Sequence, residues 1–253
     1  MFGRKFLPQS SQRRLKKFIF LMILVTTLFV VMVTAGMYGL SLLDSSMSLV
    51  KADIVESKPR IAIPSDGDYR LESPLKSDFS RGQSKIIDDL LGSQKDGFFV
   101  ELGAGDGETN SVSLFFERER NWGGVLVEAN ESKHRQAVGK RRKSLMWNFR
   151  LRMDEDMTTD TKDDIRLERL FQMINRTSID LLAINLNGFE SELIKQIDLA
   201  KYNIRVITVE LQNTVSKERY MAITDYLTSR GYTVAHHLIN TMLGKKDVVY
   251  TKL

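Results

Sequence analysis

Residues 98–111, Phe-Phe-Val-Glu-Leu-Gly-Ala-Gly-Asp-Gly-Glu-Thr-Asn-Ser, hold the densest group of positions that could do chemistry. An apolar run reaches Glu101 and passes directly into Gly103, Gly105 and Gly107, with Asp106 between the last two. Glycines at such a turn let the backbone bend sharply and approach a ligand with no Cβ in the way. About twenty residues on, a second apolar run ends at Glu128, where a carboxylate accepts hydrogen bonds from ribose hydroxyls. Together the two signals describe a nucleotide-type site, whereas glycines that only served a tight turn would need no matching acid. The spacing Gly-x-Gly-x-Gly departs from the Gly-x-Gly-x-x-Gly of dinucleotide sites. Acids beside the loop repel a pyrophosphate and neutralise a cation, so the sulfonium of S-adenosylmethionine suits it better than NAD does.

A second constellation lies at 179–194, Ile-Asp-Leu-Leu-Ala-Ile-Asn-Leu-Asn-Gly-Phe-Glu-Ser-Glu-Leu-Ile, which reads as a buried strand turning into a helix. Its turn carries Asn185, Asn187 and Glu190. An amide takes no proton at any relevant pH and is a poor ligand for a hard cation. Asn187-Gly188 has a simpler reading as turn chemistry, because both residues tolerate positive φ. Glu190 is placed as a first-turn acid that the helix dipole favours. The chain has no cysteine, which removes thiol nucleophiles and cysteine-bound zinc. His134, His236 and His237 show no metal spacing, so no metal is expected.

These residues need a scaffold, and the rest of the sequence supplies its outline. From Ser84 onward, strand-like runs (97–105, 123–130, 179–186, 204–211, and more weakly 144–151 and 247–253) alternate with stretches of helical spacing. Such alternation predicts an α/β fold, a doubly wound and mostly parallel sheet with helices on both faces. The polar stretch 153–164 reads as a surface loop, and the basic stretch 133–143 as a solvated helix face.

Ahead of this domain the charge is distributed unevenly. Residues 1–17 carry six cations and no acid, so a net charge of +5 over the chain leaves −1 for the remaining 236 residues. No nucleic-acid footprint is therefore expected on the fold. Residues 18–43 run 26 positions without a charge, enough to cross a hydrocarbon layer ~30 Å thick. A cleaved signal peptide has an apolar core of only ~7–15 residues, so a signal anchor is the better reading. Cations before the span place the N-terminus in the cytosol and residues 44–253 on the lumenal or extracellular side. Three of the four prolines fall in 44–82, read as a stalk or linker before a domain at 83–253. Two sequons, at Asn130 and Asn175, suit that side of a membrane.

The glycine loop with Glu101 and Asp106 resembles motif I of the class I methyltransferases. Across 97–130, 167–198 and 203–213 the chain is similar to an FkbM-type methyltransferase domain, in particular that of the Star group of invertebrate type II membrane proteins. The resemblance implies S-adenosylmethionine as cofactor, with Glu101, Gly103, Gly105, Asp106, Gly107 and Glu128 at the cofactor positions. It also implies a single-pass protein of the endoplasmic reticulum, Golgi, endosome or plasma membrane that moves secretory or membrane-tethered growth-factor cargo. Where the family reads Asp-x-Glu-Gly-x-Glu, this chain has Asn185-Leu-Asn187-Gly188-Phe-Glu190. The expected function is thus a non-catalytic transport factor with a methyltransferase-like domain, the alternative being an active O-methyltransferase. Only 51 residues separate Glu128 from Asp180, which predicts that part of the adenine wall or substrate cover is missing.

Overall fold

The computed structural model describes residues 60–153, 160–161, 163–212, 217–240 and 245–252. The apolar run at 18–43 lies outside them, and among the described residues no helix is long and apolar enough to cross a membrane. Ser57–Leu253 forms one compact unit. Its strands are β1 (Arg60–Ala62), β2 (Phe98–Leu102), β3 (Gly123–Val127), β4 (Leu145–Asn148), β5 (Arg150–Arg152), β6 (Asp164–Arg166), β7 (Ser178–Ile184), β8 (Asn203–Gln212), β9 (Tyr232–Asn240) and β10 (Lys245–Lys252). The helices are α1 (Gln83–Leu90), α2 (Ser113–Glu119), α3 (Glu131–Gly139), α4 (Leu167–Ile174), α5 (Glu190–Gln196) and α6 (Lys217–Thr228).

Eight strands form one sheet in the order β1-β4-β3-β2-β7-β8-β10-β9, and β5 with β6 forms a small parallel ribbon beside it. The contiguous strands β4, β3, β2, β7 and β8 are mutually parallel, while β10 runs antiparallel to both β8 and β9. The doubly wound, mostly parallel sheet expected from the alternation of elements is the one observed. Period-two alternation along β2 assigns its side chains to opposite faces. Val100 and Leu102 join a core with α4, α5 and α6, whereas Phe99 packs with Ile87 of α1, Phe116 of α2 and Ala137 of α3. Because both faces are covered, the central strands are largely apolar, with Glu101, Asp180, Arg205, Thr208 and Glu210 among the exceptions.

The structured unit reaches back into the stretch read as a linker. β1 pairs antiparallel with β4, and Phe79 and Ser80 are buried. Hydrogen bonds add to the attachment that the buried Phe79 and the packed Ala62 supply. The Ser65 N–H donates to the Arg142 carbonyl at 3.1 Å, and the Arg70 N–H to the Lys140 carbonyl at 2.9 Å. Glu72 and Ser73 N–H groups both donate to the Glu108 carboxylate at 2.8 Å.

The basic stretch 133–143 is a solvated helix face only in its first half, where Lys133 and Arg135 are exposed. Helix α3 stops at Gly139, and the turn beyond it carries Lys140 and Arg142 inward, at 6% and 4% exposure. Lys140 Nζ lies 2.7 Å from both Glu108 and Glu72, and Arg142 Nε lies 3.0 Å from Glu117. Charge periodicity reads such cations as surface, because only the fold brings carboxylates from α2 and its preceding loop over them. Burial pushes the Glu108 carboxyl up, but the bonds from Lys140 and from the Glu72 and Ser73 N–H groups outweigh it and hold the pKa below normal. Burial likewise pushes Lys140 down, and its two carboxylates more than offset this.

Stability from Glu108 is therefore fully present above the ordinary carboxylate pKa and fades as pH falls through its lower folded value. That from Lys140 is present below the ordinary lysine pKa and fades as pH rises through its higher folded value. Removing one partner of a buried pair costs about 3–5 kcal/mol. Glu108→Gln is expected to lower the melting temperature at pH 7, with the gap to wild type closing as pH drops below ~4; thermal melts across pH 3–8 measure it.

Candidate functional site

Strand order reverses between β2 and β7, and in open α/β sheets ligands bind at such a point, above the carboxyl ends of the strands. A cavity of about 1010 Å³ opens there. The β2–α2 loop contributes Gly103, Gly105 and Asp106, the end of β3 contributes Glu128, and the turn after β7 contributes Asn185, Leu186, Asn187 and Phe189. Phe149, Leu151 and Met153 close another side, with Arg150, Arg152, Thr161 and Asp164 nearby. The short segment between β3 and β7 thus does supply a wall. Its chain leaves β4, bends at Phe149 and returns through β5 and β6, an economy that residue counting does not reveal.

Two glycines define the floor. Gly103 has φ of +79°, and a β-carbon on it would lie 1.8 Å from the Asn185 carbonyl oxygen. The Asn185 N–H meanwhile donates to the Leu102 carbonyl at 2.9 Å, so β2 and β7 meet with no room for a side chain. Gly105 has φ of +60° and would carry its β-carbon into open space. That opening is a cradle which a methyl group would fill. Gly107, by contrast, packs on Ala137 of α3 and lies outside the cavity lining.

Glu128 is 8% exposed and accepts the Gly105 N–H at 2.8 Å and the Asn130 N–H at 2.7 Å, one on each carboxylate oxygen. Each oxygen keeps a further lone pair for a hydroxyl donor. Asp106 closes its own loop, accepting the Glu108 N–H at 2.9 Å and the Thr109 N–H and hydroxyl at 2.7 Å. Burial raises the Asp106 pKa, but these bonds outweigh it, and Lys140 adds to them, so the group stays charged well below neutrality. A cavity with Asp106 and Glu128 on its wall is suited to a cationic nucleoside, and these residues fit S-adenosylmethionine.

Glu101 is brought to the back of the loop instead. It is 5% exposed, accepts the Val112 N–H at 3.1 Å and the Ser111 hydroxyl at 2.9 Å, and also accepts the Ser113 hydroxyl. It borders a neighbouring space of about 20 Å³ and not the main cavity. Arg142 continues the same network, donating to the Gly107 carbonyl at 2.6 Å and to Ser113 at 2.9 Å. Sequence spacing gave no sign of Arg142, since its partners come from 25 to 35 residues earlier.

At the turn after β7, Asn187 and Gly188 have φ of +53° and +111°, the conformation expected from their types. Glu190 is 1% exposed, its oxygens accepting the Leu186 N–H at 2.9 Å and the Gly188 N–H at 3.0–3.1 Å. It closes the turn from beneath and lies outside the cavity lining, to which the turn gives Asn185, Leu186, Asn187 and Phe189.

Residues 138–234 match the Methyltransferase FkbM domain. That span holds the β7 turn but begins after the glycine loop, so loop and turn are two separate lines of likeness. No curated protein matches the chain. Among solved structures, the METTL16 MTase domain is 13% identical over 70% of this chain and 69% of that one, with a TM-score of 0.51. A TehB-like SAM-dependent methyltransferase from Corynebacterium glutamicum is 9% identical over 68% and 88%, with a TM-score of 0.43. A human methyltransferase 10 domain containing protein is 12% identical over 69% and 83%, with a TM-score of 0.46. The fold is that of the class I S-adenosylmethionine methyltransferases.

The two glycines separate folding from binding. Gly103→Ala is expected to cost more than ~4 kcal/mol and to prevent folding, since backbone blocks the new carbon. Gly105→Ala is expected to cost only ~1–2 kcal/mol for its left-handed backbone, while lowering S-adenosylhomocysteine affinity at least tenfold. Thermal melts and calorimetric titration of the two variants read these effects apart.

Proposed function

We propose that the domain binds S-adenosylmethionine in the cavity above β2 and β7, and that its acceptor turn is not catalytic. The observation that carries this reading is the contrast across the cavity. Gly105 and Glu128 leave an open cradle on one side, while Asn185 and Asn187 present amides on the other and Glu190 is consumed by its own turn. When bound, the cofactor supplies a methyl group on a positively charged sulfur. Glu128 would hold the ribose hydroxyls, the Gly105 backbone would lie against the nucleoside, and Asp106 and Glu128 would balance the cationic charge.

Transfer to a hydroxyl also needs a group to take the acceptor's proton, which adds ~10²–10⁴-fold to the rate. The amides at 185 and 187 cannot do this at any pH between 2 and 12. In keeping with the cationic tail, the uncharged run at 18–43 and the likeness to Star-group proteins, the protein on this reading is a type II membrane protein. Its domain faces the lumen and serves as a non-catalytic factor in the transport of secretory cargo between endoplasmic reticulum, Golgi and endosomes.

A second reading, an active O-methyltransferase, is favoured by the size of the cavity, which stands at the upper end of the ~300–1,000 Å³ range for a single small ligand and leaves room for an acceptor.

Calorimetry of the full chain in detergent is expected to show S-adenosylhomocysteine binding, and label from methyl-labelled cofactor is expected to stay off hydroxylated acceptors. The absence of binding removes the cofactor part of the reading; binding with methyl transfer by the wild type removes the non-catalytic part. The double variant Asn185→Asp, Asn187→Glu is the form expected to gain transfer, by up to ~10²–10⁴-fold.

A further inference from the structure

The two sequons end up at opposite poles of the domain. Asn130 follows the carboxyl end of β3 and N-caps α3, its side-chain oxygen accepting the Lys133 N–H at 3.0 Å. Its backbone N–H donates to Glu128, and its neighbours Ala129 and Lys133 line the cavity. A bulky group on Asn130 would therefore stand beside the cofactor opening. Asn175 follows α4 and precedes the amino end of β7. Seven residues of β7, at ~3.3 Å each, put it roughly 20 Å from the turn that borders the cavity.

The surroundings of Asn175 suit an attached group. It sits at the C-cap of α4 in the left-handed conformation, with φ of 53° and ψ of 40°, and its backbone N–H makes the capping bonds to the Phe171 and Gln172 carbonyls. Residues 175–178 are all exposed, while Ile179 beyond them is buried. The turn is nonetheless fixed, because the Thr177 carbonyl accepts the Asn203 N–H at 2.7 Å and Arg176 lies over the Phe98 ring at 4.4 Å. The third residue of the sequon, Thr177, is thus held in place on an exposed turn.

We infer that Asn175, and not Asn130, carries an N-linked glycan. The inference rests on the lumenal orientation proposed above. The donor is a lipid-pyrophosphate-linked oligosaccharide of the secretory membrane, transferred by that membrane's oligosaccharyltransferase. The Asn175 side-chain nitrogen forms a bond to the anomeric carbon, the bond from that carbon to the diphosphate oxygen breaks, the diphosphate leaves with its lipid, and one amide proton passes to solvent. Sited on the amino-end pole, the glycan covers neither the cavity nor the α3 cap, and shields the exposed turn between α4 and β7.

The test uses the full chain expressed in secretory-competent cells. Endoglycosidase mobility shift reports the glycan, and protease protection of sealed microsomes reports orientation independently. A protected domain with one glycan, lost in Asn175→Gln and retained in Asn130→Gln, is the expected result, with S-adenosylhomocysteine affinity unchanged after deglycosylation. A protected domain that lacks a glycan, carries two, or loses its glycan only in Asn130→Gln overturns the assignment while leaving the orientation standing. A digested domain overturns the orientation and this inference together.

Discussion

Strands β2 and β7 approach each other so closely above the sheet that the Asn185 carbonyl occupies the place where a Gly103 side chain would begin. Everything functional depends on that contact. It brings the glycine loop and the β7 turn to the same point, where strand order reverses and two parallel strands send their connections to opposite faces. The crevice left between those connections is the cavity. Had Gly103 carried a side chain, the loop and the turn would be separated and the two halves of the site would no longer share one opening.

The loop is held in that position from behind by charge. Glu101, Ser111, Ser113, Arg142 and Glu117 form one buried chain of hydrogen bonds, and Glu108 with Lys140 forms another that reaches the segment at 65–76. Groups buried in this way are costly unless every one is paired, and here the pairing crosses four different segments. The consequence is a rigid floor for the site, in which backbone N–H groups of the loop are already committed to Asp106 and Glu128 before any ligand arrives.

The two sides of the cavity differ in how they use their carboxylates. On the loop side, Asp106 and Glu128 accept backbone bonds and still border the opening. At the β7 turn, Glu190 points back into its own backbone, and the polar side chains facing the opening are the amides of Asn185 and Asn187, beside Leu186 and Phe189. A turn of this shape needs left-handed residues at 187 and 188, which asparagine and glycine satisfy at little cost. The same asparagine that makes the turn comfortable also leaves it without a proton acceptor, so local stability and chemistry pull in different directions at one position.

Much of this was legible in the residues themselves. Apolar runs alternating with helical spacing specify a doubly wound sheet because burial on both faces leaves no polar period in the central strands. The glycine spacing and the acid at Glu128 mark the cofactor side, since only those types permit a close backbone approach with a hydrogen-bond acceptor beyond it. The left-handed turn at 187 and 188 follows from residue type alone. Local pattern was silent wherever a charge found its partner across the fold. Lys140 and Arg142 read as solvent-facing, the stretch from 60 to 82 as linker and Glu101 as a cavity residue, because the groups that bury or redirect them are tens of residues away in sequence. The sequence by itself determined the layers, the loop and the missing acids of the turn. Only the tertiary structure decided which carboxylates face the cavity and which are spent holding it, because a carboxylate's role is set by the donors that reach it, and those come from elsewhere in the chain.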